Sequence, residues 1–225
     1  IDAPEREAVS ELLQLADCID VMVPRGGQGL IDLCRRESRI PLIAGGVGVV
    51  HIYVDASADV ARALAVIENA KVQRPAVCNA LDTLLVQAAA AARLLPALAQ
   101  RLSGFGVVFH AEGEAASLLA AGGARVEDSA PGDFDREWLG LELGVALVDG
   151  VESAIAHIAA HGSGHSEAIL SEDPEAAARF LNAVDASAVY HNASTRFTDG
   201  GQFGMGVEVA VATGRLAPRG PVGPA

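Results

Sequence analysis

The chain is expected to be α/β, a mostly parallel sheet with flanking helices. Three observations carry this. Short apolar runs alternate with helical patterns almost throughout, which is the arrangement of βαβ units. Hydrophobic residues make up 51% of the chain and charged residues 20%, enough to bury a core. Turn and capping residues fall at the junctions, as in Pro24-Arg25-Gly26-Gly27-Gln28-Gly29 and Asp55-Ala56-Ser57-Ala58-Asp59.

The elements follow in order. Residues 5–15 read as a helix, with Val9, Leu12, Leu13 and Ala16 on one face. An apolar strand over 19–23 leads through the glycine turn into a helix over 30–38. A second strand covers 40–43, and the glycine-rich loop 45–48 leads into a third over 49–54. The capping run 55–59 opens a helix over 60–72. A cysteine-bearing loop and a strand come next, then an alanine-rich helix over 88–102. A strand over 106–110 and a short helix over 114–121 precede a polar, irregular stretch at 122–140. Strands are expected over 141–148, 167–170 and 188–191, with helices over 151–160 and 174–184 between them. The remainder reads as glycine-rich loop with one apolar stretch, 207–212.

Net charge is −13 and the pI is near 4.8, which argues against a nucleic-acid surface and against anionic membranes. No apolar run approaches the roughly 20 residues that span a bilayer. Cys18, Cys34 and Cys78 are odd in number and widely spaced, so no disulfide framework is expected and a reducing cytoplasm is the simplest setting. The chain opens on Ile1 and ends in a Pro/Gly-rich tail from Pro218; both ends are expected to continue into a longer protein or to be processed.

Cys78 stands out among candidate sites. It sits in a short loop after Arg74-Pro75, at an element junction, with Lys71 and Arg74 the nearest cations in sequence. Cationic neighbours favour the nucleophilic thiolate. Cys18 and Cys34 are expected in the core. The turn at Gly26 and Gly27 lies between strand and helix, where backbone can approach a ligand and a helix N-terminus favours phosphate. The loop Asn192-Ala193-Ser194-Thr195-Arg196 is dense in donors and could hold a carboxylate, because arginine offers a forked donor pair. Glu137 precedes an apolar strand and nothing local distinguishes it. His157, His161 and His165 have metal-like spacing, but Gly162 and Gly164 interrupt the helix and no metal is expected.

The segment Gln73-Arg74-Pro75-Ala76-Val77-Cys78-Asn79-Ala80-Leu81-Asp82-Thr83-Leu84-Leu85-Val86 closely resembles the cysteine segment of the γ-glutamyl phosphate reductase family, in the aldehyde dehydrogenase superfamily. Four further segments resemble that family in the same order. They begin at Ile19, His51, Gly162 and Asn192, the last being the run Asn192-Ala193-Ser194-Thr195-Arg196-Phe197-Thr198-Asp199-Gly200-Gly201.

The resemblance covers the C-terminal half of the family's chain. It implies an aldehyde-dehydrogenase-like catalytic domain plus a remnant of the cofactor domain. The expected division is 1–50 for the end of the NADPH-binding domain and 51–190 for the cysteine-bearing domain. Residues 191–225 would be the substrate loop and return segment. The implied reaction reduces L-glutamate 5-phosphate to L-glutamate 5-semialdehyde with NADPH, in proline biosynthesis. Cys78 would form the thioester, with its N–H helping to hold the oxyanion. Gly26, Gly27 and Glu137 would meet the cofactor. Arg74, Asn79, Asn192, Ser194, Thr195 and Arg196 are the candidates for substrate contact. A homo-oligomer is implied at full length, with glutamate 5-kinase as pathway partner and a cytoplasmic location.

Two departures bear on this. No glutamate occupies Ile43-Ala44-Gly45-Gly46, where hydrolytic relatives carry a general base, which suits an enzyme that releases phosphate. The family's usual polar run before the next strand is replaced by Ala44-Gly45-Gly46-Val47-Gly48-Val49-Val50. Two alternatives stay open: a catalytically incomplete fragment or interaction module of the same fold, and another acyl-phosphate reductase.

Overall fold

The computed structural model describes residues 6–214 and 219–223. Ile1, Glu5, Pro218 and the last two residues, named above, lie outside the described residues. The chain divides into two compact units, 1–46 with 199–225, and 47–198. Residues 195–198 are hydrogen-bonded to Asn79 and Ser166 of the larger unit.

In the larger unit, seven strands form one sheet in which every pairing is parallel. They are β1 (His51–Val54), β2 (Thr83–Gln87), β3 (Val108–His110), β4 (Arg125–Glu127), β5 (Glu142–Val148), β6 (Ser166–Leu170) and β7 (Ala188–His191), in the order β4-β3-β5-β2-β1-β6-β7. The chain starts mid-sheet and moves out to the β4 edge. It then inserts β5 between β3 and β2 and crosses to β6 and β7 beyond β1.

Apolar runs in the central strands are explained by cover on both faces. On one face, Ile52, Val54, Leu84, Val86, Leu143 and Leu170 join a core with α3 (Val60–Val72), α4 (Ala88–Ser103) and α5 (Gly113–Ala121). The alternate residues Tyr53, Leu85 and Ile169 pack with α6 (Val151–His161) and α7 (Pro174–Ala183) on the other. Asp59 caps α3 by accepting from the Arg62 N–H, and Asp173 caps α7 with Pro174 in its first turn.

In the smaller unit, α1 (Arg6–Leu12) and α2 (Gln28–Glu37) are helices as expected. The expected strands at 19–23 and 40–43 reduce to a single parallel bridge, Met22 to Leu42. Pro41 has no N–H to give, and a lone two-stranded pair is marginal without neighbours. Two further strands, β8 (Ala210–Ala212) and β9 (Gly220–Val222), pair antiparallel.

Edge strand β4 lies in the stretch expected to be irregular. Its sequence Arg-Val-Glu exposes both charged residues and half-buries only Val126, so it carries no period to read. Cys18 corrects another expectation. It lies in turns after α1 and is exposed, while Cys34 is buried as expected. Among the described residues, no helix is long and apolar enough to cross a membrane.

Candidate active site

Cys78 occupies a tight turn between α3 and β2, at the amino end of the strand, and is exposed. The turn is closed by the Ala80 N–H donating to the Val77 carbonyl, and Leu81 N–H ties it to Ala70 of α3. Lys71 is fully buried and donates to the Leu81 carbonyl at 2.8 Å. Arg74 is exposed at the start of the turn.

Segment 194–198 clamps this turn from one side. Thr195 Oγ1 donates to the Asn79 carbonyl at 2.9 Å, and Asn79 Nδ2 donates to the Thr198 carbonyl at 2.6 Å. Arg196 donates from Nη1 to Asn79 Oδ1 and from Nε to Gln73 Oε1. Ser194 Oγ accepts from the Arg196 N–H. All four residues are buried. The sequence proposed Asn79, Ser194, Thr195 and Arg196 as substrate contacts; in the structure these side chains hydrogen-bond within and beside the turn. An unpaired buried donor costs about 1–3 kcal/mol, which is the physical reason they bond one another.

Asn192 is placed elsewhere. It adopts a left-handed φ of 53°, which asparagine tolerates, at the carboxyl end of β7. Its amide bonds Ser171 in both directions and reaches Glu172. It is not grouped with the cysteine turn.

From the other side, segment 48–51 approaches Cys78. A Cβ on Gly48 would lie 2.1 Å from the Cys78 carbonyl oxygen and 3.0 Å from Glu137 Oε1. Only glycine fits there. The Gly48 N–H donates to Glu137 Oε1 at 2.6 Å, which joins Glu137 to the cysteine turn across 89 residues of sequence. Local sequence carried no signal for this contact.

Asp82 was also missed, although an acid inside an apolar run was a visible anomaly. It accepts from the Val50 and Trp138 N–H groups at 3.2 and 2.9 Å. Burial pushes its carboxyl up to about 6, against the pull of its backbone donors and Lys71. Burial likewise drives the Lys71 ammonium down to about 8, against the fields of Asp82 and Glu142.

Gly26 and Gly27 belong to the smaller unit. Gly27 precedes α2 without a side-chain cap, and a Cβ there would meet nothing within 4 Å. A Cβ on Gly26 would strike only the flexible end of Leu30. A cavity of about 460 Å³ opens in the larger unit near Phe134, Val145, Leu147 and His161; none of the cysteine-turn residues lines it.

The comparisons follow this geometry. The chain is 55% identical over 223 residues to a γ-glutamyl phosphate reductase of Yersinia enterocolitica, covering 99% of this chain and 53% of that protein. A γ-glutamyl phosphate reductase of Escherichia coli is 54% identical, with 99% and 54% covered. The crystal structure of the Thermotoga maritima γ-glutamyl phosphate reductase matches with a TM-score of 0.93 at 42% identity, over 99% of this chain and 53% of that one.

The chain is similar to the C-terminal half of the γ-glutamyl phosphate reductases.

It spans about half the length of the curated relatives it matches and corresponds to the C-terminal half of the family's chain. No family model matches it. An acetylating aldehyde dehydrogenase from Geobacillus thermoglucosidasius, at 22% identity and a TM-score of 0.69, shares the fold, so the family's sheet is of the aldehyde dehydrogenase type.

Proposed function

We propose that this chain supplies the thiol half of an NADPH-dependent reductase that converts L-glutamate 5-phosphate to L-glutamate 5-semialdehyde and phosphate. The observation that supports it is the exposed Cys78, held in a turn fixed by Gly48 and Glu137 on one side and by Thr195 and Arg196 on the other. Such restraint holds a nucleophile in an attacking geometry.

In this reading the Cys78 thiolate attacks the acyl carbon. A C–S bond forms, the bond to the phosphate oxygen breaks, and phosphate leaves. The Cys78 N–H stabilises the developing oxyanion. Arg74, exposed beside the turn, pairs with a charged group of the substrate. Arg196, Asn79, Thr195 and Ser194 keep the turn in place, and Asn192 anchors the far end of that segment.

Each unit, taken by itself, carries a residue suited to part of a nicotinamide dinucleotide. Gly27 opens the N-terminus of α2 to a phosphate. Glu137 accepts from the Gly48 N–H through Oε1, and its carboxylate is the candidate for a ribose hydroxyl. When bound, the cofactor supplies the hydride that reduces the acyl carbon. Location in the cytoplasm, assembly as a homo-oligomer at full length and a pathway link to glutamate 5-kinase belong to the same proposal.

The test is Cys78→Ser in the full-length protein. We expect loss of phosphate-dependent, NADP-linked oxidation of glutamate 5-semialdehyde; retained activity would overturn the mechanism. Comparing glutamyl, aspartyl and acetyl phosphates separates this substrate from the alternatives.

A further inference from the structure

Three backbone N–H groups of segment 48–51 donate to three different carboxylates: Gly48 to Glu137, Val50 to Asp82, and His51 to Glu167. Asp82 has Lys71 in its field. Glu167 is fully buried, and no lysine or arginine among the described residues acts on it.

Its two oxygens are unlike. Oε2 accepts from the His51 N–H at 2.8 Å and faces His51 Nδ1 at 3.1 Å. Oε1 has no partner. It faces Gly162, whose Cβ would come within 3.2 Å of it and 2.5 Å of the Ile158 carbonyl oxygen. Gly162 caps the C-terminal end of α6, where carbonyls present negative charge. A carboxylate there would leave a bare anionic oxygen in the interior beside a helix end of the same sign. A carboxylic acid removes the buried charge, with Oε2 as the carbonyl taking both donors and Oε1 carrying the proton. An imidazolium at His51 would bury a charged N–H at Nε2, which has no partner either.

We infer that Glu167 is a neutral carboxylic acid bonded to a neutral His51, and that this pair positions residues 48–51, hence Gly48 against the Cys78 carbonyl.

Burial also pushes the Glu167 carboxyl up, the same direction as the geometry. The other titratable groups facing the pair come from two sides. His157 lies edge-on to His51 at 5.5 Å, followed on α6 by His161 with its partner Asp135. Asp82 lies on the β2 side, through Val50.

The experiment uses the full-length protein and reads no reductase activity, so its failure and failure of the proposed function stay distinguishable. Infrared difference spectra between the protein and Glu167→Gln at neutral pH should show one carboxylic-acid carbonyl band, absent from the variant. No such band overturns the neutral acid. In parallel, iodoacetamide labelling of Cys78 is read by peptide mass spectrometry against exposed Cys18. Glu167→Gln, a neutral isostere, should leave the ratio within about twofold, while Glu167→Ala should change it about tenfold. If alanine does not fold, Glu167→Met takes its place. A glutamine variant that unfolds or shifts as far as the truncation overturns the neutral acid. A truncation with an unchanged ratio overturns the positioning role.

Discussion

The α-carbon of Gly48 faces the Cys78 carbonyl oxygen so closely that a Cβ on residue 48 would lie 2.1 Å from it. That atom is backbone, so relief requires moving the turn itself. We expect Gly48→Ala to cost about 1–3 kcal/mol by overpacking. It should also alter the alkylation rate of Cys78 while Cys18 is unaffected. Urea unfolding and peptide-resolved labelling check the two effects.

Arg196 joins Asn79 and Gln73 through two nitrogens of one planar group. Lysine has a single nitrogen and cannot span both acceptors. Arg196→Lys should therefore lose about 1.5–3 kcal/mol despite keeping its charge. A double-mutant cycle with Asn79→Ala should return a coupling of about 0.5–3 kcal/mol. Additive single effects would refute the clamp.

His165 sets a pH dependence with one stated cause. Burial lowers it from 6.5 to about 4. The folded value lies below the unfolded one, so the fold favours the neutral ring. The associated stability is complete above about 6.5 and is lost as pH falls towards 4, in all about 3 kcal/mol. His165→Gln should flatten the acid limb of unfolding free energy by one proton. Denaturant unfolding at about pH 7 and about pH 4 measures it.

The three thiols should separate by accessibility. Cys34 is 1% exposed and burial pushes its thiol up, whereas Cys18 and Cys78 are exposed. Iodoacetamide should modify Cys18 and Cys78 in the native protein and reach Cys34 only after denaturant is added. Labelling of Cys34 at a native-state rate equal to the others would contradict the fold of the smaller unit.

Much of the sheet could be read from the chain because its signals are local. Asp59 before Val60, and Asp173 with Pro174, mark helix starts within a few residues. The 188–191 strand matches its expected bounds. The strands expected at 19–23 and 40–43 failed for a non-local reason, since apolar runs lengthen into strands only when a sheet receives them. The site divides the same way. Cys78 at an exposed junction was visible in its flanking Pro75 and Arg74. The bond between Gly48 and Glu137, and the commitment of Arg196 to Asn79, join residues 89 and 117 apart, and no periodicity encodes such distances. Arginines 74 and 196 looked alike in sequence; burial separates them.

Because all seven strands point the same way, the sheet has two rims of different character. The amino rim carries the cysteine turn, Gly48, Glu137 and the Glu167–His51 pair. The carboxyl rim carries Asp55, Ser57, Ser171 and Asn192, whose polar atoms are bonded among themselves and to nearby backbone. Evolutionary change should meet different resistance at each. Under the proposed function, drift at the carboxyl rim would be filtered by whether the protein persists, and drift at the amino rim by whether the Cys78 thiol still faces its target. A single sheet would then record two separate histories of selection, written at opposite ends of the same strands.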